Sequence, residues 1–406
     1  MTLAVERLDL RGDGVAGGLR IARVLPGEVI EGEPVGGRID LPRILTPSSD
    51  RVAAPCPHFR SCGGCALMHA TDGFVAGWKT EVIARALSGQ GLTAPIRPIL
   101  TSPPASRRRA TLAGRRTKGG VLVGFHMRGS ATILAVPGCH LLHPDLMRAL
   151  PALQAVVLAG ASRTGELAMT LTATATGLDL AVSGGKPADA TLRSTLARLA
   201  EDHALARLTW EGETVALRAQ PVVLLGPARV PLPSGAFLQA TGHGEAALVA
   251  AVAGAVAGAR RIADLFAGCG TFALPLAARA EVHAVEGDAA MIAALDAGWR
   301  GAAGLRRVTT EVRDLFRRPL EPPELAHLDA VVLDPPRAGA EAQVARIAAA
   351  RVPVVAMVSC NPVTFARDAR ILSAAGYVPE WVQPVDQFRW SPHVELAARF
   401  ALMDKA

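Results

Sequence analysis

Aromatic side chains are scarce in this chain of 406 residues. They make up 4% of it, with a single tyrosine, Tyr377. Any surface here that holds nucleobases by stacking has few rings to work with. Long hydrophobic runs are missing as well. The longest uncharged apolar stretch, residues 246–259, spans 14 positions of mostly Ala, Val and Gly. That length predicts a core helix and is too short for a helical membrane span. The first ten residues carry Glu6 and Asp9 and no apolar run, unlike a secretory leader, so a cytoplasmic protein is expected. Cysteines number only six, and without an export signal two disulfides are a poor reading of them. Half of the residues are hydrophobic, so core burial is not limiting, and the length suits two or three domains.

Excess charge is absent from most of the chain. Residues 151–406 hold 24 Lys+Arg against 25 Asp+Glu, whereas residues 1–150 hold 19 against 11. The whole positive excess therefore lies in the first 150 residues, nearly all of it Arg. Arg107, Arg108, Arg109, Arg115, Arg116 and Lys118 form its densest cluster. The planar Arg fork binds two phosphate oxygens at once, which points to nucleic acid. The plainer reading is a solvated face in a chain that prefers Arg to Lys.

Three of the cysteines stand together in Cys56-Pro-His-Phe-Arg-Ser-Cys62-Gly-Gly-Cys65, and Cys139 follows in Val-Pro-Gly-Cys139-His. Gly63 and Gly64 let the backbone wrap a small inorganic centre. Four thiolates suit a [4Fe-4S] cluster or an all-thiolate zinc site, and His58 or His69 is an alternative fourth zinc ligand. Spacing alone does not choose between iron and zinc.

From about residue 260 strands and helices alternate. Ile262–Phe266 reads as a strand, Ala267-Gly268-Cys269-Gly270-Thr271-Phe272 as a glycine turn, and 273–279 as the start of a helix. Such a turn brings backbone close to a ligand at a helix N-terminus. Glu286 ends the next strand, where a carboxylate accepts from ribose hydroxyls. Gly268-x-Gly270 lacks the third glycine of a dinucleotide site, which favours S-adenosylmethionine over NAD. Asp314 follows a third strand (308–312), in reach of an adenine amine. Asp334-Pro335-Pro336 makes a rigid, ligand-facing strand end. For each Asp the competing role is a helix N-cap.

Cys360 follows the apolar run 352–358 and precedes Asn361-Pro362. A thiol at the carboxyl end of a buried strand stands where open α/β sheets bind ligands, although a buried Cys is more often inert. Glu395 falls in a late apolar strand, where a carboxylate is costly without a partner or a task. His393 reads as a packing or hydrogen-bonding residue.

Taken together, Cys-x5-Cys-Gly-Gly-Cys with a distant Cys, Phe237-Leu-Gln239, Asp264-Leu-Phe-Ala-Gly-Cys-Gly, Leu333-Asp-Pro-Pro-Arg, Ser359-Cys-Asn-Pro and His393-Val-Glu occur in this order. The chain thereby resembles, over nearly its whole length, the RNA 5-methyluridine methyltransferase family, in its iron–sulfur branch (the RumA/RlmD type). Residues 12–16 and 25–28 are similar to the TRAM module, an RNA-binding β-barrel of OB type. The resemblance implies a Rossmann-like class I α/β methyltransferase domain at 237–406 and a TRAM-like barrel at 1–50. Between them, at 51–236, it implies an α+β domain with the cluster loop, part of 68–99 packing on the methyltransferase domain.

By resemblance Cys56, Cys62, Cys65 and Cys139 ligate a [4Fe-4S] cluster. Gln239, Phe266, Gly268, Gly270, Thr271, Glu286, Asp314 and Asp334 hold S-adenosylmethionine. Cys360 is the nucleophile that adds to uracil C6, and Glu395 is the general base. The chain departs from the family pattern at Thr241 and Thr271, where Asn is usual, and in Arg389-Trp390-Ser391-Pro392 before His393. The four cysteines favour 23S rRNA as substrate over tRNA, whose bacterial enzymes generally lack the cluster. Archaeal relatives with the cluster act on tRNA. A noncatalytic iron–sulfur RNA-binding factor is the reading from another class. A cytoplasmic monomer without membrane contact is the expectation.

Overall fold

Eight strands form the largest sheet of the computed structural model, which describes residues 1–403. Across the sheet they run Val308–Val312, Glu281–Glu286, Arg261–Leu265, Ala330–Leu333, Val354–Ser359, Glu395–Leu402, Tyr377–Asp386 and Leu100–Thr101. The first five are parallel, and Glu395–Leu402 is antiparallel to both of its neighbours. Parallel strands must be covered on both faces, which is why Ala330–Leu333 is buried at every position. One face packs on helices Gly242–Ala255 and Ala289–Arg300, the other on Glu341–Ala350 and Pro362–Ala374. The chain starts in the middle of the sheet at Arg261–Leu265, works outward to Val308–Val312, then returns to Ala330–Leu333 on the other side. The topological switch point lies between those two central strands, so their carboxyl ends open a ligand crevice.

Local chemistry sets the strand ends. Asn361 caps helix Pro362–Ala374, its side chain accepting from Val363 N at 3.1 Å, with Pro362 in the first turn. Ser-Cys-Asn-Pro is thus a strand end and a helix start, with Cys360 held between them. Thr241 likewise caps helix Gly242–Ala255, accepting from Gly244 N at 2.8 Å. The helix expected over 273–279 forms only one turn, Ala273–Leu276, with Pro275 inside it.

A seven-stranded sheet fills the middle of the chain, from Arg109–Thr117 to Glu213–Leu217, with helices Leu150–Gly160 and Ala190–Asp202 on its core. The N-terminal residues form two small sheets, one of three strands and one of four, around Val5, Ile21, Val24, Ile30 and Ile39.

The middle of the chain also reaches into the large sheet. Helix Asp72–Ser88 buries Ile83 and Leu87 in the core shared with Phe365 and Leu372. Leu100–Thr101 then adds the eighth strand, parallel to Val385 and Asp386, so this crossing extends beyond the 68–99 range expected. Lys79 of that helix is fully buried, with Nζ 2.6 Å from Asp386 Oδ1.

Candidate active site

Strand register brings Cys360 and Glu395 together. Ser359 pairs with Leu396 across the antiparallel ladder, so Cys360, one residue on, stands abreast of Glu395, one residue back. Cys360 is half-buried; desolvation pushes its thiol up, Glu395 and Asp334 add to this, and Arg337 opposes it. Glu395 is 4% exposed and its carboxyl is pushed up to about 8, by desolvation first and then by Asp334. Desolvation also pushes Asp334 up to about 7. Two carboxyls and a thiol at adjoining strand ends, each disfavouring charge on the next, can hold and pass protons near neutral pH.

Two amides complete this centre. Gln387 Nε2 donates to Glu395 Oε2 and to Gln239 Oε1. All three residues are buried. On the outer side, Arg337 lies 3.3 Å from His393 Nδ1, which fits the hydrogen-bonding role read for His393. Cys360, Arg337 and His393 line a cleft of about 760 Å³ that continues between helix Asp72–Ser88 and the N-terminal sheets. Arg7 and Arg11 face it without an acidic partner among the described residues, whereas Arg20 and Arg85 are paired to Asp9 and Glu81.

The glycine turn lies beside the switch point. Phe266 has φ +62, a strained conformation for a side chain with a ring, and packs against Phe316 at 5.3 Å between centroids. Gly268 and Gly270 have φ +56 and +98. A Cβ on Gly270 would also come within 2.9 Å of both Leu274 and Leu295. Half-buried Thr271 follows. Glu286 Oε2 accepts from Gly268 N at 3.0 Å and Oε1 from Asp288 N at 3.0 Å, so it braces the turn and points at its mouth. Asp314 caps a turn, accepting from Phe316 N at 3.0 Å. Asp264 is one residue that sequence reasoning passed over. It is fully buried, both its oxygens lack a partner, and burial raises its pKa well above the carboxylate range. A buried acid among Asp334, Glu286 and the glycine turn, its charged form disfavoured until a cation arrives, suits a ligand ammonium such as that of S-adenosylmethionine.

The four cysteines 56, 62, 65 and 139 gather in one place. Burial pushes the Cys65 thiol up to about 12, and Cys139, Cys62 and Cys56 add to the effect. Gly64 N lies 3.4 Å from Cys62 Sγ, and a Cβ on Gly63 would meet the His126 carbonyl at 3.0 Å. Among the described residues no three of His, Cys, Asp and Glu form a group for a single metal ion. His69 does not complete a zinc site: its ring stacks on Phe59, and the charges around it belong to Arg51, Glu28 and Arg23. The loop holds the segment that leads to His393 and Glu395, because Ala66 N and Leu67 N donate to Trp390 O at 2.8 and 2.9 Å.

Part of the dense Arg cluster is engaged within the protein, while Lys118 is exposed, Arg116 is half-buried, and neither has an acidic partner among the described residues. Arg107 is half-buried near Cys139 and Cys65, Arg108 pairs with Glu245 and donates to Gln239 O at 3.2 Å, Arg109 donates to Gly235 O, and Arg115 pairs with Glu166. Cys269 is buried, its thiol pushed up to about 12 by desolvation, and takes no part.

A switch-point crevice with a glycine turn and an acidic second-strand end defines a class I S-adenosylmethionine-dependent methyltransferase. The tRNA (Uracil-5-)-methyltransferase family matches residues 301–401. An uncharacterized RNA methyltransferase of Brucella suis is 43% identical over 98% of this chain and 96% of its own. The 23S rRNA (uracil(1939)-C(5))-methyltransferase RlmD of Azoarcus sp. is 33% identical over 98% and 99%. The fold matches that of the Pyrococcus abyssi tRNA (uracil-54, C5)-methyltransferase crystallised with S-adenosyl-L-homocysteine, with a TM-score of 0.77, 22% identity, and 98% and 99% of the two chains covered. The chain belongs to the S-adenosylmethionine-dependent RNA (uracil-C5)-methyltransferase family.

Proposed function

We propose that this protein methylates C5 of one uridine in 23S rRNA through a covalent adduct between Cys360 and uracil C6. The observation that carries the chemistry is the register that sets Cys360 abreast of Glu395, with Asp334 beside them. The likeness to the Azoarcus enzyme along nearly the whole chain supports the RNA target.

Uracil C5 is a weak nucleophile. Addition of the Cys360 thiolate to C6 moves electron density to C5, and the thiolate remains a fair leaving group. Bound beside them, S-adenosylmethionine would supply an electrophilic methyl group to C5, its S–CH₃ bond breaking and S-adenosyl-L-homocysteine leaving. Glu395 then removes the C5 proton, the C5–C6 double bond re-forms and the Cys360–C6 bond breaks. Gln239, Phe266, Gly268, Gly270, Thr271, Glu286, Asp314 and Asp334 are the residues proposed to hold the cofactor, with Asp264 added to them.

The uridine must leave its stack to reach a strand end, at a cost of a few kcal/mol. The cleft past Arg7 and Arg11 is its proposed path, with residues 1–50 as a TRAM-type RNA-binding module. The remaining chain divides in this reading into a central domain at 51–236 and the catalytic domain at 237–406, in a cytoplasmic monomer. No helix among the described residues is long and apolar enough to cross a membrane. With purified 23S rRNA and tRNA transcripts, methylation of the rRNA alone is expected. Methylation of tRNA alone would overturn the target, and methylation of neither would leave a binding factor. Arg7→Ala/Arg11→Ala, which removes two cationic contacts, should weaken binding and reduce the salt slope by roughly 1.4 to 1.8.

Cys56, Cys62, Cys65 and Cys139 are the proposed ligands of a [4Fe-4S] cluster. Thiolates on one zinc, at about 2.3 Å from the metal, lie within about 4 Å of one another. A cube of iron and sulfide holds its ligands farther apart. The gathering of four thiols supports the proposal, and an amide N–H directed at Cys62 Sγ suits a thiolate. Such a cluster would tie the 56–65 loop to the Cys139 turn. Anaerobically purified protein should absorb near roughly 400 nm, from thiolate-to-iron charge transfer, and contain iron and sulfide. Zinc without iron would refute the assignment.

A further inference from the structure

Gln387 has no assigned role, yet it is the residue through which the two halves of the active centre touch. It is 3% exposed, in the turn after strand Tyr377–Asp386. Its Nε2 donates to Gln239 Oε1 at 2.5 Å and to Glu395 Oε2, while its Oε1 faces Thr241 N at 3.4 Å. An amide nitrogen carries two hydrogens, so both are used and the amide cannot be turned over without facing two acceptors with an oxygen. Helix Gly242–Ala255 leaves room for it: a Cβ on Gly244 would come within 2.6 Å of Gln387 Cβ.

We propose that Gln387 is the positioning residue of this site, fixing Glu395 by one oxygen and turning the Gln239 amide so that its NH₂ faces the ligand cleft. Holding Glu395 by Oε2 leaves Oε1, which no donor reaches among the described residues, to take the C5 proton. Because Gln239 Oε1 is turned to Gln387 and Gln239 Nε2 meets no acceptor among the described residues, Gln239 presents its donor side to a ligand. It therefore suits an acceptor-only oxygen, either the cofactor carboxylate or a uracil carbonyl, and disfavours an amino group such as that of cytosine.

This inference rests on Cys360 and Glu395 acting as proposed above. Gln387→Met keeps the volume and removes the donor. Gln387→Glu keeps the shape, so a loss shared by both variants is not a packing defect. Thermal melting confirms that each is folded. Loss of a hydrogen bond to a charged group predicts a kcat lower by about 10- to 100-fold, with covalent protein–RNA adduct building up during turnover. The pH profile gives a second readout. Glu395 is faced by Asp334 and Cys360 from neighbouring strands and by Gln387 from its own hairpin, while Lys79 and Arg108 nearby are paired with Asp386 and Glu245. The Gln387 donor favours the carboxylate, so its removal should move the acidic limb of kcat to higher pH, furthest in Gln387→Glu. Weaker binding of S-adenosyl-L-homocysteine in Gln387→Met would identify the cofactor carboxylate as the partner of Gln239. Unchanged binding with 5-methylcytosine formed in a cytidine transcript would identify the base. Wild-type kcat, adduct level and pH limb in folded Gln387→Met overturn the proposal, provided Glu395→Gln still traps adduct. If Glu395→Gln traps none, the underlying reading of the base has failed instead.

Discussion

Cys360→Ala should bind RNA and transfer no methyl group. Removing a covalent nucleophile costs at least about three orders of magnitude in turnover, because no other group on this strand end can activate C5. The groove that would hold the phosphates is built from Arg7, Arg11 and other residues, so affinity should stay within about threefold. Stability should barely change, since the side chain is half-buried and small. In the free enzyme the thiol is pushed up by desolvation and by Glu395 and Asp334, so it is held protonated at neutral pH and must ionise as the base arrives. Wild-type turnover rising with pH, and turnover lost in Cys360→Ala at every pH, are the paired results. A variant within tenfold of wild type would sink the covalent mechanism.

Glu395→Gln should stop the reaction one step later. The methyl group is delivered, the C5 proton stays, and Cys360 remains bonded to C6, so a protein–RNA band resistant to denaturation should accumulate to about one per enzyme. Loss of a general base lowers turnover by about 10²- to 10⁴-fold. No adduct with an intact Cys360 would assign the proton to another group. The same substitution has a stability signature. The ordinary carboxyl value is 4.5 and the folded one about 8, so between them the folded chain holds a proton that the unfolded chain has released. Stability then falls as pH rises through that window. Gln does not titrate, so the variant should melt with the wild type near pH 4. By pH 8 it should melt higher, by on the order of 5 °C.

Much of this centre was legible in the chain because its parts are local. Asn361 and Pro362 start a helix, the apolar run before them makes a strand, and Cys360 is left between the two. Gly268 and Gly270 mark the turn, and Glu286 ends a strand. What was not legible depends on elements far apart in sequence. Gln387 gains its role only when its hairpin lies against Thr241 and Gly244. Asp264 looks like an ordinary strand residue until Asp334 and Glu286 are folded around it. Leu100–Thr101 is too short to show strand periodicity and is a strand only because Val385 and Asp386 pair with it. Arg107 and Arg108 read as phosphate ligands because charge composition does not distinguish an exposed guanidinium from one half-buried near thiols or paired with Glu245.

The buried Lys79–Asp386 pair has a consequence for how the protein is made. Lys79 also donates to Phe388 O at 3.2 Å, and its partners lie more than 300 positions later in the chain. At usual synthesis rates of about 5–20 residues per second, they leave the ribosome roughly 15–60 s after it does. During that interval helix Asp72–Ser88 carries a lysine shaped for a site that does not yet exist. The N-terminal third can complete its own small sheets, but its docking surface and the catalytic loop can close only on each other, once residues 386–388 have been made. Contacts of such long range make folding slow. They also mean that no chain truncated before the last strand has an assembled active centre.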